Sequence, residues 1–289
     1  MVDYINKKLV TGMAPKRAQN SNKMTFGKVL NIAGSANYRG AAFLSSLSAL
    51  RSGAGYVTLA AVKEVVDSVS CMTPDLVYLT LKSNNNGGIA EDNIINDLNS
   101  YNVISFGCGI STDESVKTFL INLLSHISPS QMLVIDADGI NLLSSSKCNI
   151  PSKNAIITPH PKELSRLLNV STEEVNMNRE KYARITSQTY DCITVLKGHG
   201  TIVTNGDKIY VNKSGNSALA KAGTGDVLTG AIAGLLAQKM DPFNAAILGV
   251  YLHGLAGDIA SSYLTQYGVL ASDVVDYLPF AFNQVLTSE

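Results

Sequence analysis

The chain has 289 residues, which is enough for one large α/β domain or two small ones. It is 45% hydrophobic and 16% charged, so it can bury a full core, and a disordered chain is excluded. Basic and acidic residues number 23 each, and the zero net charge argues against nucleic-acid binding, which requires a basic surface to replace phosphate counterions.

The sequence gives no sign of secretion or membrane insertion. Its first residues, MVDYINKKLVTG, lack the apolar core of a signal peptide, and no apolar run approaches the ~18 residues that span a bilayer. The four cysteines (Cys71, Cys108, Cys148 and Cys192) are too far apart for a zinc or redox motif and are expected to be reduced, packed thiols. We therefore expect a cytoplasmic protein with no membrane partner.

Seven short apolar segments, taken in chain order, predict the strands of a parallel sheet. They are Val29–Ala33, Tyr56–Ala60, Leu76–Thr80, Asn102–Phe106, Met132–Asp136, Ala155–Thr158 and Ile193–Leu196. Most are apolar on both faces, as parallel strands covered by helices on each side are. Helical patterns lie between them, at Gly40–Arg51, Asp113–Ser125, Pro161–Leu168 and Ser171–Thr189. This alternation predicts an α/β fold, a three-layer α/β/α sandwich around a mostly parallel sheet.

The pattern changes after the seventh strand. Thr201–Thr204 and Lys208–Val211 flank Asn205-Gly206, which is typical of a tight antiparallel hairpin. Three helices are then predicted: Gly225–Gln238, Pro242–Ser262 and a short one that ends before Pro279. Because no repeat or linker interrupts the chain, we predict a single domain over residues 1–289, with its core at about 25–279.

A glycine turn opens the first of these helices, in the sequence AKAGTGDVLTGAIAGLLAQ at residues 220–238. The first amides of a helix lack intrahelical partners, and Gly223 and Gly225 let a phosphate approach them closely. Asp226 has a simple alternative role, since an acidic residue in a first turn offsets the helix dipole. Beside a bound phosphate, however, its carboxylate can take the proton of an attacking hydroxyl. The repulsion between the two anions then implies a divalent cation, Mg²⁺, whose ligands the sequence does not identify.

Several motifs in a fixed order indicate a family. GTGDVLTG resembles the glycine–aspartate signature of the ribokinase-like superfamily, and no Walker A or GxGxxG motif is present. The accompanying segments are TFGKVLNIAGSANYRGAA, LRSGAGYVTLA, FGCGI, DADGINLL, ITPHPKEL, LKGHGTIV and LGVYLHGLAGD. Together they resemble the ADP/ATP-dependent NAD(P)H-hydrate dehydratases over nearly the whole chain, from about Thr25 to Pro279.

This resemblance implies a repair reaction. Members of the family remove water from the hydrated S form of NADH or NADPH while ADP, or ATP, is consumed. The resemblance also implies a homotetramer that works beside an NAD(P)H-hydrate epimerase, which we expect to be a separate protein.

Carried over residue by residue, the resemblance assigns two groups of ligand-binding residues. The nucleotide-binding residues are Lys197, Gly198, His199, Gly200, Thr201 and Gly225. The substrate-binding residues are Ala41, Gly109, His160 and Asp226. Asp226 is also the expected catalytic base, with Gly223 and Gly225 supplying amides that stabilise the transferring phosphoryl group.

Some of these side chains have structural alternatives. Lys197 could be a solvated surface lysine, and His199 could serve only through its backbone. A lone histidine is more often structural than catalytic, yet the resemblance favours substrate contact for His160, which lies between two prolines. His253 is expected to be a hydrogen-bonded core histidine.

Two further aspartates, Asp136 and Asp138, could surround a phosphate or metal, although a helix N-cap is the preferred role for Asp138. Lys221 replaces a small residue of the family pattern and could lie near the phosphates or point to solvent.

Two competing functions share the same site. A ribokinase-like vitamin kinase, acting on hydroxymethylpyrimidine, hydroxyethylthiazole or pyridoxal, would use the same Asp226 but stop at the phosphorylated product. A catalytically silent nucleotide-binding protein would lack Asp226 or the glycines, and both are present.

Overall fold

The computed structural model describes residues 2–146 and 148–287. Ten strands form one sheet in the order β1-β10-β9-β8-β7-β6-β5-β2-β3-β4. They are β1 Val2–Ile5, β2 Lys28–Ile32, β3 Tyr56–Val62, β4 Val77–Leu81, β5 Val103–Phe106, β6 Met132–Ile135, β7 Ala155–Ile157, β8 Ile193–Leu196, β9 Ile202–Thr204 and β10 Ile209–Asn212. Only β9 runs antiparallel to its two neighbours, so the predicted parallel sheet and closing hairpin are confirmed.

Eleven α-helices are found in the described residues. They are α1 Lys7–Met13, α2 Arg39–Arg51, α3 Lys63–Ser70, α4 Glu114–Ser125, α5 Asp138–Ser146, α6 Pro161–Leu168, α7 Thr172–Met177, α8 Arg179–Tyr190, α9 Thr224–Ala237, α10 Pro242–Gly268 and α11 Ala271–Leu286. Helices α1, α2, α9, α10 and α11 pack together on one side of the sheet, and α4 to α8 pack on the other. The three-layer α/β/α sandwich is therefore confirmed.

Helix α9 lies unusually close to α2 because its interior glycines have no side chain. A Cβ atom on Gly230 would come within 2.0 Å of the Ser45 carbonyl oxygen, and one on Gly234 within 2.3 Å of the Ala49 carbonyl oxygen. Every residue from Val227 to Ala237 is buried. This close packing fixes the direction of α9 and therefore the position of its N-terminus at the carboxyl edge of the sheet.

Several sequence-based boundaries are wrong. The helix predicted at 171–189 is two helices, because Asn178 has non-helical dihedral angles (φ −136°, ψ 51°) between α7 and α8. The last helix does not end before Pro279 but continues to Leu286, because a proline removes only one backbone donor while buried residues on both sides hold the helix in place. Helices α1, α3 and α5 and strand β1 were not predicted, since segments of four to nine residues carry little periodic signal.

Two other expectations are corrected by burial. All four cysteines are free thiols, as predicted, but Cys71 is exposed and is therefore not a packed thiol. By length and hydropathy alone α10 could cross a membrane, but 67% of its most apolar stretch is buried inside the fold, as in a core helix.

Candidate functional site

The N-terminus of α9 is built around a glycine. Gly223 precedes the helix with φ +92°, and a Cβ there would come within 2.7 Å of the Leu44 side chain. Both the backbone conformation and the lack of space therefore favour glycine at this position. No side chain caps this end, and the first-turn amides that follow, at Gly225 and Asp226, can serve an anion. His253 steadies the turn, since its Nε2 lies 2.9 Å from the Thr224 carbonyl oxygen. Burial lowers the pKa of His253 to about 4. The predicted hydrogen bond of His253 is confirmed, but the residue is only partly buried and lines the cavity rather than the core.

Asp226 is a perturbed carboxylate at this turn. Burial, with added repulsion from Asp136, raises the pKa of Asp226 to about 6. Among the described residues it has no ion pair, and the buried Cys108 thiol lies close enough to influence its pKa. Burial and the adjacent carboxylates raise the pKa of that thiol, so it stays protonated and can donate to Asp226. Asp226 is thus ionised at neutral pH yet remains a better base than a surface aspartate.

Lys197 lies directly beneath the turn rather than in solvent. Its ammonium contacts Asp136 Oδ1 at 2.5 Å and lies 3.9 Å from Glu163 Oε2, with 19% of the side chain exposed. It also lies 3.5 Å from the point where a Cβ on Gly225 would be. Burial opposes the charge, but the two carboxylates raise the pKa of Lys197 above its usual value. The interpretation of Lys197 as a solvated surface lysine is therefore wrong.

The carboxylates around Lys197 are themselves held by other elements. Asp136, which directly follows β6, is 1% exposed, and its Oδ2 accepts a 2.7 Å hydrogen bond from Thr229 on α9. Glu163 on α6 accepts a 2.7 Å hydrogen bond from the His160 amide. Burial raises the pKa of Glu163 to about 7 despite the nearby lysine. Sequence reasoning missed Glu163, although its position three residues after His160 is the spacing of a capping box.

The predicted nucleotide loop, Lys197–Thr201, lines a cavity of about 840 Å³. Gly198 and Gly200 have φ values of +140° and +67°, which L side chains rarely adopt. All six predicted nucleotide-binding residues line the cavity, together with loop 212–217 and His253. Asp226, Gly223, Ala41, Gly109 and His160 do not line it. The structure therefore brings the nucleotide group together and leaves the predicted substrate group outside this cavity.

Arg179 supports the loop from below. Its Nη2 donates to the carbonyl oxygens of Leu196, Lys197 and Gly200 at 3.2, 3.3 and 3.4 Å. A Cβ on Gly198 would come within 2.8 Å of Arg179 Nη1, so this glycine packs directly on the guanidinium. No described carboxylate forms an ion pair with Arg179. The guanidinium of Arg179 therefore interacts with carbonyl oxygens of the nucleotide loop rather than with a carboxylate.

Ala41 and Gly109 meet in a second part of the site. Gly109 has φ +64°, and a Cβ there would come within 2.6 Å of Tyr38 Cβ and 3.0 Å of Ala41 Cβ. Ala41 follows β2 and Gly109 follows β5, the two adjacent strands at which the chain order of the sheet reverses and where open α/β sheets form ligand crevices. Cys108, next to Gly109, is a neighbour of Asp226, and Gly225, next to Asp226, lines the cavity. Asp226 is therefore close to both the cavity and the crevice.

His160 caps α6 at the same edge of the sheet. Its Nδ1 accepts hydrogen bonds from the amides of Lys162 and Glu163 at 3.1 and 3.2 Å, and its Nε2 lies 3.3 Å from Glu163 Oε1. The acceptor role of Nδ1 assigns the proton to Nε2, and burial and Lys197 lower the pKa of the ring. The ring is 45% exposed, and its contact with substrate stays a prediction.

The structure also shows the surroundings of two remaining predicted side chains. Asp138 is not an N-cap: α5 begins at Asp138, and its carboxylate accepts a 3.0 Å hydrogen bond from the Ser111 amide. Lys221 turns away from the glycine turn and donates to the Tyr267 carbonyl oxygen at 2.6 Å.

A metal ion would find few protein ligands here. Within residues 2–146 and 148–287, no group of three or more His, Cys, Asp and Glu side chains could hold one. Asp136 is engaged by Lys197 and Thr229, and Glu163 by the His160 amide. A Mg²⁺ ion bound here would have to take its ligands mainly from phosphate oxygens and water.

The fold and the glycine–aspartate turn define a ribokinase-like α/β protein. A ribokinase-like superfamily protein from Enterococcus faecalis superposes with a TM-score of 0.88 at 26% identity, covering 99% of this chain and 97% of that chain. The narrower assignment comes from the family model of NAD(P)H-hydrate dehydratase, which matches residues 29–280. The chain belongs to the NAD(P)H-hydrate dehydratase family.

Relatives of two lengths match the chain. A bifunctional NAD(P)H-hydrate repair enzyme of Moorella thermoacetica is 32% identical over 293 residues, which cover 98% of this chain and 55% of the relative. This chain thus spans about half the length of that relative. An ADP-dependent (S)-NAD(P)H-hydrate dehydratase of Neisseria meningitidis is 35% identical, covering 94% of this chain and 90% of the relative.

A solved structure agrees with these sequence matches. The ADP/ATP-dependent NAD(P)H-hydrate dehydratase of Bacillus subtilis, co-crystallized with ATP/Mg²⁺, has a TM-score of 0.87 at 30% identity, covering 98% of this chain and 99% of that chain. These matches favour metabolite repair over the vitamin-kinase alternative.

Proposed function

We propose that the chain dehydrates the S form of NADH or NADPH hydrate back to NAD(P)H while ADP is converted to AMP and phosphate. One observation supports the proposal: Asp226 directly follows Gly225, which lines the cavity of the nucleotide loop, and it neighbours Cys108, which precedes Gly109 in the crevice. A base in this position can serve a hydroxyl on one side and a phosphoryl group on the other.

The first step is phosphoryl transfer. Asp226 takes the proton of the C6 hydroxyl of the hydrate as that oxygen attacks the terminal phosphorus of ADP, and AMP leaves. The amides of Gly225 and Asp226 stabilise negative charge on the transferred group, and Lys197 beneath them adds positive charge. Mg²⁺ bound to the phosphates would supply further charge neutralisation. Raising the pKa of Asp226 to about 6 strengthens the base while leaving it mostly ionised at pH 7.

The second step is elimination. The lone pair of the ring nitrogen expels phosphate from C6, and loss of a C5 proton restores the C5–C6 double bond. A primary vitamin alcohol has no neighbouring nitrogen to expel its phosphate, so its ester would persist. The fate of the phosphorylated product therefore separates dehydratase from kinase.

The deciding experiment follows this difference. Hydrated NADH, Mg²⁺ and ADP are incubated with the protein, and we expect NADH absorbance to return with AMP and phosphate formed in equal amounts. ATP in place of ADP should give slower turnover. A stable phosphorylated pyrimidine, thiazole or pyridoxal alcohol, with no NADH regenerated, would overturn the proposal.

The wider setting is part of the same proposal. The bifunctional relatives are named as NAD(P)H-hydrate repair enzymes, and we propose that an epimerase activity supplies the S hydrate to this chain. We further propose that the protein is cytoplasmic and forms a homotetramer. Light scattering in solution would measure the mass of the assembly.

A further inference from the structure

Strand β1 brings an aromatic ring to the nucleotide cavity. Val2–Ile5 lies outside the family model, which begins at residue 29, and pairs in parallel with β10. Tyr4 lines the 840 Å³ cavity and is 54% exposed, so its ring is not part of the hydrophobic core. Ile5, which points to the opposite face of the strand, is buried and anchors β1.

The register of the sheet gives the distance from Tyr4 to the phosphate end. Leu196 pairs with Ile202, Ile202 with Val211, and Val211 with Tyr4. Three strand steps therefore separate Leu196 from Tyr4, about 14 Å at the usual spacing between strands. Lys197 follows Leu196 directly and lies under Gly225, where the phosphates would bind. An extended nucleoside diphosphate spans a comparable distance from its terminal phosphate to its base.

A second residue of the cavity contacts the same ring. Lys213, which follows β10, has its Nζ 3.8 Å from the centroid of the Tyr4 ring, within the range of a cation–π interaction. The ammonium lies over one face of the ring and so helps to orient it, and a base that stacks on the ring must use the opposite face. A flat heteroaromatic base fits such a surface through stacking.

We propose that Tyr4, with Lys213, forms the base-binding end of the nucleotide site, where the ring of Tyr4 stacks on the base of the nucleoside diphosphate. This assignment rests on the proposed use of ADP. It gives a segment outside the family model a direct part in nucleotide selection.

The test compares two ligands that differ only in the base. ADP and ribose 5-diphosphate are titrated into the full chain with Mg²⁺ by calorimetry. Tyr4→Ala should weaken ADP binding by roughly 5- to 100-fold, the usual effect of losing one base-stacking ring. The same variant should bind ribose 5-diphosphate as the wild type does, because that ligand has no base to stack.

Two further variants control the result. Tyr4→Phe keeps the ring and should keep ADP affinity within a few-fold, whereas Asp3→Ala removes an exposed neighbour on the opposite face of β1 and should leave both affinities unchanged. Equal ADP affinity in Tyr4→Ala and the wild type would overturn the base-binding role alone. An equal loss for both ligands would also overturn it, since it would indicate damage to the loop. Failure of the wild type to bind ADP would instead overturn the proposed function, and the role of Tyr4 with it.

Discussion

Asp226 must meet two conflicting requirements as a general base. A higher pKa makes its carboxylate a stronger base, but a pKa above about 7 would leave it protonated at neutral pH. Burial raises the pKa of this carboxyl to about 6, and repulsion from Asp136 acts in the same direction. Lys197 limits the rise, because its ammonium is paired with Asp136 only a short distance away. The chemistry of the proposed first step therefore depends on three charges from three separate parts of the chain.

Replacing this base gives the most direct prediction. Asp226→Asn should lower turnover by about 10²- to 10⁴-fold, the usual contribution of a positioned general base. ADP affinity should be unchanged or higher, because a negative charge beside the phosphates is removed. Steady-state kinetics and calorimetry on the same preparation measure the two effects. Turnover within a few-fold of the wild type would exclude Asp226 as the base.

The raised pKa of Asp226 also predicts a pH dependence. The base is active only when ionised, so kcat/KM should decline as pH falls through about 6 and stay level above it. Glu163 titrates nearby, with its pKa raised to about 7 by burial. The Glu163→Gln variant should keep the limb near pH 6, because the reacting proton goes to Asp226. If this limb disappeared in Glu163→Gln, it would belong to Glu163 instead.

Helix α8 supports two turns through two arginines of the same kind. Arg179, in its first turn, donates to carbonyls of the nucleotide loop, and Arg184 donates to the carbonyls of Gly206 and Asp207 in the hairpin turn at 2.6 and 2.8 Å. Both arginines lie on one helix and donate to backbone carbonyl oxygens. Only Arg179 contacts residues that are predicted to bind the nucleotide.

This pair provides a matched comparison. Arg179→Ala should weaken ADP binding by about 10-fold or more, since charge-assisted hydrogen bonds contribute roughly 1.5–3 kcal/mol and the loop would lose its support. Arg184→Ala should leave ADP affinity unchanged and only lower the midpoint of thermal unfolding. Added guanidinium should restore part of the lost affinity in Arg179→Ala. Equal ADP affinities in the two variants would mean that the loop holds its shape without Arg179.

Across the whole molecule, the two halves of the site come from different segments of the chain. The crevice is formed by segments following β2 and β5, and the cavity by segments following β8 and β10 together with α9, α10 and Tyr4 of β1. Asp226, at the start of α9, is close to both. This separation predicts that binding of hydrate and binding of nucleotide can be impaired independently.

Two glycine variants test that independence. Gly109→Ala would bring a Cβ within 2.6 Å of Tyr38 Cβ at φ +64°, so it should weaken hydrate binding by about 5- to 150-fold, equivalent to ~1–3 kcal/mol of strain, and leave ADP affinity unchanged. Gly200→Ala would place its Cβ at an ordinary contact distance of 3.6 Å from Val211 Cγ1 but has an equally unfavourable φ of +67°, and it should affect ADP alone. Loss of both ligands in either variant would contradict two independent halves.

The amino-acid sequence by itself determined the order of most strands and helices, the antiparallel hairpin and the glycine–aspartate turn. Each of these depends on local periodicity or on turn residues that act within a few positions. Several short segments escaped prediction, as α3, α5 and β1 did, although α6, of similar length, was predicted. The six residues that the family resemblance assigns to nucleotide binding belong to contiguous motifs, and they line one cavity.

Only the tertiary structure decided which distant side chains share an environment. Lys197 and Asp136 are 61 positions apart, and their ion pair exists because β8 and β6 end at the same edge of the sheet with one strand between them. The contacts of Cys108, Arg179 and Tyr4 were unrecognisable for the same reason, and so was the approach of Glu163 to Lys197, although the capping-box spacing of Glu163 is local. Their surroundings depend on the order and register of ten strands, which are set by non-local packing of helices against both faces. Local preferences carry no information about those distances, so the contacts appear only when the sheet is assembled.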